Sequence, residues 1–363
     1  MAQRKGFTIR EVAAAAGVST QTVSRVLNNR PDVAPATFQR VQDVIRETGY
    51  APNMLARSLT QGRSHVLGAV AYGLDYFGPS RVLTAIERQA AELGYAIMLN
   101  LILEPESNDV DNLINSLRAR QVDGIIWAIP EVGSNRASLR TQLAEVPVPV
   151  IMVGGMAGRP YLRSIAIDNA AIGRLAAEHL LGGGARHVGI ITGPLTWWEA
   201  QERQAGWRKT MRAHGRKVEE GIVVEGDWTV ASGEQAFYRM IEACPDIDAI
   251  FASNDQMALG VLHAAHCLGK PVPEALSVVG VDNIPEASHF WPPLTTVHQP
   301  LGDAGALAVQ EIDQLIGKAR QTRRSADAVP EMTLLEPTLI VRESSRDVAA
   351  ADRLRLDPPD WPA

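Results

Sequence analysis

The sequence predicts an all-α head followed by a larger α/β core of two doubly wound parallel-sheet lobes. Three observations predict it. Near residue 66 the apolar spacing changes from helical repeats to short continuous runs that alternate with amphipathic stretches. That alternation occurs twice, over about 66–165 and 168–282. Charge divides at the same place. Residues 1–64 hold nine Lys/Arg and four Asp/Glu, a net of +5, which leaves −11 for the rest of a chain whose total is −6. A basic head on an acidic body points to an anionic partner for the head alone.

The head reads as three helices. Thr8 opens the first, with Glu11 three residues on completing a capping box, Ile9, Val12, Ala13 and Ala16 as the apolar stripe, and Gly17 as its end. Ser19 is placed to cap the second, whose Val23, Val26 and Leu27 must face inward. The third runs from Pro35 to Thr48, with Phe38, Val41, Val44 and Ile45 inward and Gly49 just beyond. The tight turn at Gly17 makes the first two a helix-turn-helix, which leaves the second free to enter a major groove. Thr20, Gln21 and Arg25 then lie on its outward face. Glutamine can pair with adenine and arginine with guanine, each through two hydrogen bonds. Residues 52–64 carry one more short helical pattern, with Leu55 and Leu59 four apart. It reads either as a linker helix docked on the core or as a hinge that folds against DNA, with Leu59 wedged into the minor groove.

In the core, strands are expected at 66–71, 95–101, 124–129, 148–154, 164–167, 187–192, 249–253 and 276–282. Helices are expected at 80–93, 108–120, 169–181, 198–214, 232–243 and 255–268. Near-continuous apolar strands separated by helices argue for parallel sheets covered on both faces. Ligands bind such sheets at the strand C-termini. The expected divisions are a head at 1–52, a hinge and linker at 53–64, a core at 65–345 and a disordered tail at 346–363. One lobe takes about 65–167 with 301–328, the other 168–297 with 329–345.

The head run TIREVAAAAGVSTQTVSRVLN with GYAPNMLARSL, and the core runs AGWRK (205–209), EGDW (225–228), SNDQMALG (253–260), SVVGVD (277–282) and PPLTTVHQP (292–300), follow one another in a familiar order. On them the chain resembles the lactose repressor/galactose repressor family of bacterial transcription regulators over about residues 7–345. Its core is closest to the family's lactose-responsive branch. The resemblance implies a periplasmic-binding-protein-like core, a homodimer on a pseudo-palindromic operator, and a small sugar effector between the lobes. It assigns DNA contacts to Thr8, Ser19, Thr20, Gln21, Thr22, Ser24, Arg25 and Asn28, and in the hinge to Asn53, Ala56 and Leu59. Thr20 replaces a tyrosine of that branch, so the operator should be related but not identical.

The resemblance assigns effector contacts to Arg203, Trp228, Asn254, Asp282 and Gln299, which match position by position. It also places Tyr72, Ala128 and Gly154 on the cleft wall, where the lactose-responsive branch has serine, asparagine and aspartate. The residue types suit a sugar, whose hydroxyls need polar partners and whose C–H faces pack on aromatics. Bland readings stand beside these. Asn254 or Asp255 can simply cap the next helix, Asp255 being the better candidate, and Asp282 can be a turn residue. With one cleft wall rebuilt, a galactoside is the expected effector class, with a changed substituent or second sugar. Whether it induces or co-represses is open. The tail lacks the leucine-rich helix of the tetrameric branch, which implies a dimer.

Other functions find little support. No apolar run approaches the roughly 20 residues a membrane span needs, and the N-terminus lacks a signal peptide's apolar stretch, so a cytoplasmic location is expected. Cys244 and Cys267 read as packing residues. His263, His266 and Cys267 share a helical stretch that reads as partly buried, without a carboxylate to complete a metal site. LGGGARH (181–187) follows a helix and precedes a strand, the reverse of a phosphate loop. No GxSxG and no catalytic carboxylate pair stand out, and no cofactor is expected. The rivals are a transport-type binding protein, which the core alone would fit, and an α/β sugar-processing enzyme.

Overall fold

The computed structural model describes residues 7–27, 29–50, 63–102, 110–129, 142–143, 145–155, 162–322 and 332–346. The chain divides into two compact units, 1–64 and 65–363.

The head unit has three helices, α1 (Ile9–Ala16), α2 (Thr20–Leu27) and α3 (Pro35–Thr48). The capping box forms: the Glu11 amide donates to Thr8 Oγ1, and the Thr8 amide donates to the Glu11 carboxylate at 2.6 Å. Gly17, at φ 65°, closes α1, and Ser19 Oγ accepts from the Thr22 amide at 3.1 Å to start α2. Val12, Ala16, Val23, Val26 and Val41 are buried together, with Phe38, Val44 and Ile45 packed around them. So small a core has few residues to spare. The capping bonds therefore carry a real share of its stability, on the order of 1 kcal/mol each.

The core unit holds two six-stranded sheets. The first contains β1 (Val66–Tyr72), β2 (Ala96–Ile102), β3 (Gly124–Ala128), β4 (Val150–Val153), β5 (Arg163–Ile167) and β11 (Met332–Leu335), in the order β11-β5-β4-β3-β1-β2 and all parallel. The second contains β6 (Val188–Thr192), β7 (Val223–Glu225), β8 (Ala249–Ala252), β9 (Ser277–Asp282), β10 (Thr295–His298) and β12 (Thr338–Ile340), in the order β12-β10-β9-β8-β6-β7. Here β12 runs antiparallel to β10. The helices are α4 (Phe77–Glu92), α5 (Val110–Ala119), α6 (Asn169–Gly182), α7 (Trp198–Ala213), α8 (Val230–Ala243), α9 (Asp255–Cys267) and α10 (Leu301–Thr322).

The two doubly wound lobes match the sequence reading, with differences at the short strands. β7, β10, β11 and β12 span three or four residues and were not read from the sequence; β4 and β8 are as short, but sit in the longer apolar runs at 148–154 and 249–253. The boundary read from sequence puts 329–345 wholly in the second lobe. The structure instead gives Met332–Leu335 to the first sheet, paired with β5, and Thr338–Ile340 to the second. The chain thus crosses between sheets three times, after β5, after β10 and after β11. These crossings bring the strand C-termini of both lobes to one cleft. The hinge stretch 53–62 and the tail beyond Arg346 lie outside the described residues.

α6 and α7 meet at glycines. A Cβ on Gly206 would stand 2.0 Å from the Ala170 carbonyl oxygen, and one on Gly173 would stand 1.9 Å from that of Arg203. That approach lets α7 hold Arg203 against the start of α6. Gly206→Ala is expected to force the helices apart at a cost of about 1–3 kcal/mol. Thermal unfolding reads this directly, and an unchanged midpoint would show that the contact is not needed.

Candidate functional site

On the head, Thr20, Gln21 and Arg25 are exposed on α2, and Thr22 and Ser24 are half-buried beside them. Arg25 faces Asp32 at 3.5 Å, with both side chains about half exposed (49% and 56%). Such a surface pair is weak, so a stronger partner for the guanidinium can displace it. Thr8 and Ser19 are exposed too, but both hydroxyls already serve as caps. Asn28, Asn53, Ala56 and Leu59 lie outside the described residues.

In the core, a cavity of about 490 Å³ opens at the strand C-termini of the two sheets. Ala128, Gly154, Arg203, Trp228, Asn254, Asp282 and Gln299 all line it. Tyr72 is not in the lining. It stands one layer back, its ring 5.9 Å from that of Trp197, which does line the cavity.

The polar wall comes from the second lobe and its crossings. Arg203 is buried (5% exposed) and donates from Nε to Asn169 Oδ1 at 2.9 Å, from one terminal nitrogen to the Ser253 carbonyl at 2.5 Å, and from the other to Gln299 Oε1 at 3.1 Å. Gln299 Nε2 in turn donates to Asp282 Oδ1 at 2.5 Å. Asn169 and Gln299 sit at the first two crossings, which is why they can meet a helix residue. Burial lowers the Arg203 pKa, while Asp282 and Glu199 oppose that shift. Burial raises the Asp282 carboxyl to about 6, with Arg203 and the Gln299 hydrogen bond holding it from rising further. Asp282 adopts φ 111° and Asn283 φ 56°. The turn is pinned by Arg342, which donates to Asn283 Oδ1 and to the Leu294 carbonyl, each at 2.7 Å. Strained backbone of this kind needs such over-determination to persist.

Asn254, not Asp255, caps α9: its Oδ1 accepts from the Met257 amide at 2.8 Å, and its Nδ2 donates to the Trp228 carbonyl at 2.9 Å. The reading of Asp255 as the cap is therefore corrected. Asp255 points back into the lobe, where Oδ1 accepts from Thr296 Oγ1 at 2.6 Å and Oδ2 from the Ile284 amide at 2.9 Å. Burial first, and then the neighbouring Asp282, push it up to about 8, so it carries its proton at neutral pH. A carboxyl whose pKa is raised on folding stabilises the fold below its unfolded pKa, and that contribution fades as pH rises toward the folded value. Asp255→Asn mimics the protonated form. It is expected to differ least from the native protein below about pH 4 and to lose less than the native protein as pH rises from there to about 8. Thermal midpoints across that range check this, and equal pH slopes would refute it.

The rest of the lining comes from residues the sequence reading did not single out. Trp197 sits 5.5 Å from Tyr76, edge to face, and 5.7 Å from Trp228. Trp228 is buried at φ 73°, its Nε1 has no hydrogen-bond partner among the described residues, and Arg203 stands 5.7 Å from its ring centre. Gly154 has φ +90°, and a Cβ there would stand 3.6 Å from Glu199 Oε1. A side-chain-bearing residue at 154 would therefore have to adopt a left-handed backbone. Asn169 follows the end of β5 much as Asn254 follows β8, so the strand-end rule could have found it. Trp197 and Glu199 were signalled by the run TWWEAQER leading into Arg203.

Away from the cleft, the His263 face is exposed rather than partly buried, and it has a carboxylate: His263 Nδ1 is 3.3 Å from Glu234, and Nε2 is 3.8 Å from Cys267 Sγ. Cys267 is exposed, which corrects its reading as a packing residue. No group of three or more metal-binding side chains is found among the described residues. No helix among them is long and apolar enough to cross a membrane.

Comparison with known proteins agrees with both units. The lacI family model of bacterial regulatory proteins matches residues 8–53, and a periplasmic-binding-protein-like domain matches 177–345. The ribose operon repressor of Escherichia coli (strain K12) is 32% identical over 315 residues, covering 86% of this chain and 93% of its own. The chain belongs to the lacI family. Within that family, the transcriptional regulator CelR of Thermobifida fusca is 32% identical over 355 residues, covering 95% of this chain and 100% of its own. Among solved structures, the lac repressor dimer bound to operator and the anti-inducer ONPF has a TM-score of 0.81 at 30% identity, covering 94% of this chain and all of that one. A complex of CelR with cellobiose has a TM-score of 0.68 at 30% identity, covering 93% and 100%. The family assignment makes this chain a DNA-binding transcription regulator with a ligand-type core, and its relatives are regulators rather than enzymes.

Proposed function

We propose that this family member is a repressor that leaves its operator when a small sugar of the galactoside type fills the cavity between its lobes. The observation that carries this is the buried Arg203–Gln299–Asp282 chain at the cleft, beside a Trp228 Nε1 that has no hydrogen-bond partner among the described residues. Together they offer a hydroxyl-bearing ring both hydrogen-bonding groups and an aromatic wall. Arg203, Trp228, Asn254, Asp282 and Gln299 hold the sugar, while Ala128 and Gly154 leave room on the opposite wall and Tyr72 backs it.

Two copies bind a pseudo-palindromic operator. Gln21 and Arg25 read bases, Thr20 helps set operator choice, and Thr8, Ser19, Thr22, Ser24 and Asn28 contact the backbone and groove edge. Asn53, Ala56 and Leu59 of segment 53–64 engage the minor groove. Phosphate contacts make binding fall steeply with salt. Sugar in the cleft changes the angle between lobes, and that change spoils the fit of the paired heads. The protein works in the cytoplasm and needs no cofactor.

Fluorescence anisotropy on the gene's own upstream DNA, at fixed salt, tests the reading. Specific binding released by a galactoside is the expected result. Tight binding that no sugar in a broad panel releases would overturn the effector assignment.

A further inference from the structure

We infer that Cys267 is a modification site, a surface thiol that exchanges with small-molecule disulfides because His263 acts as its base and Glu234 holds that base in place. The site lies outside the cleft and does not depend on the sugar reading.

The side chains come from two helices. Glu234 and Tyr238 stand one turn apart on α8, and His263 and Cys267 one turn apart on α9. Gly233 and Gly260 fix the crossing of these helices, since a Cβ on either would collide with the backbone of the other helix. Across that crossing, His263 Nδ1 lies 3.3 Å from Glu234 Oε1. Tyr238 donates to the same carboxylate oxygen at 3.4 Å, which steadies it. The carboxylate draws the imidazole proton to Nδ1. That leaves the Nε2 lone pair facing Cys267 Sγ, 3.8 Å away. Nucleophile, base and orienting carboxylate thus stand in line.

A reagent can reach the sulfur, because Cys267 is exposed and the His263 side chain is 58% exposed. The other cysteine is different. Cys244 is half-buried, and burial first, then Glu219, push its thiol up. A metal is the rival use for histidine beside cysteine, but no group of three metal-binding side chains forms among the described residues.

The exchange needs only a disulfide, RS–SR. Cys267 attacks one sulfur of the reagent as its proton passes to His263 Nε2. A bond forms between Sγ and that sulfur, and the S–S bond of the reagent breaks. The departing RS⁻ takes the proton from His263 and leaves as RSH. Cys267 is oxidised to a mixed disulfide, the departing half of the reagent is reduced to a thiol, and a second thiol reverses the reaction. Cys267 is the last residue of α9. A helix C-terminus disfavours an anion and favours a cation, so the sulfur depends on a base that takes its proton during the attack.

The test mixes the full-length protein with 4,4′-dithiodipyridine at pH 7. Absorbance follows the release of 4-thiopyridone, and peptide masses locate the adduct. The expected result is labelling of Cys267 about tenfold or more faster than Cys244, reversed by dithiothreitol. H263A should slow Cys267 about tenfold or more. Added imidazole should restore part of that rate, which a merely structural role for His263 would not allow. E234Q should slow the protein that keeps His263 and leave H263A unchanged. Cys244 labelled as fast as Cys267, an H263A protein as fast as the native one, or a Cys267 that stays unreactive would each overturn the inference.

Discussion

Arg203→Ala yields a protein that still binds operator DNA but no longer answers its effector. The reason is the burial of the group and the number of partners it leaves behind. Asn169 Oδ1, the Ser253 carbonyl and Gln299 Oε1 each lose a donor, and Asp282 loses the positive charge that limits its upward shift. Removing one member of a buried charge network costs about 3–5 kcal/mol, because the remaining charge stays desolvated. The cost falls on the core unit, so its thermal midpoint drops while the head's fold is untouched. Arg203→Lys should rescue little, since a lysine cannot donate in three directions from one plane. Operator binding with and without galactoside, alongside thermal unfolding, checks this. An Arg203→Ala protein that stays inducible would mean that the effector sits elsewhere.

Arg25→Ala is expected to lower affinity for the specific operator by about 1–3 kcal/mol while leaving binding to unrelated DNA nearly unchanged. The exposed guanidinium sits on the outward face of α2, paired with Asp32 at 3.5 Å. On DNA, a bidentate base contact replaces that weak pair. Asp32→Asn frees the arginine beforehand and should cost the complex little or slightly favour it. Anisotropy with operator and scrambled duplexes separates the cases. An equal loss on both duplexes would make Arg25 a phosphate contact instead of a reader.

The head was legible almost residue by residue, because its signals are local. The Thr8–Glu11 box, the left-handed turn at Gly17 and the Val23/Val26 spacing each act within one or two turns of chain. The long apolar strands of the core were legible for the same reason. What escaped depends on chain crossings. Met332–Leu335 joins the first sheet only because the chain returns there after α10, and nothing in its four residues says which sheet they enter. The same holds for the cleft. Residues at strand ends could be named, and the cavity gathers seven of the eight candidates. Tyr76 could not, because its meeting with Trp197 depends on how the two lobes face each other. Asn254 and Asp255 show the limit at its finest. Both residue types cap helices, and only the buried Thr296 hydroxyl and Ile284 amide explain why Asp255 turns inward.

The central claim is that the cavity and the DNA-binding head share one energetic coupling. Linkage makes it testable from the ligand side. Galactoside affinity is measured by titration on the free protein and again on the protein saturated with operator. The account predicts that operator weakens galactoside binding by the same factor by which galactoside weakens operator binding. Identical galactoside affinity in the two titrations would contradict it, leaving a DNA-binding protein whose cavity does not control it.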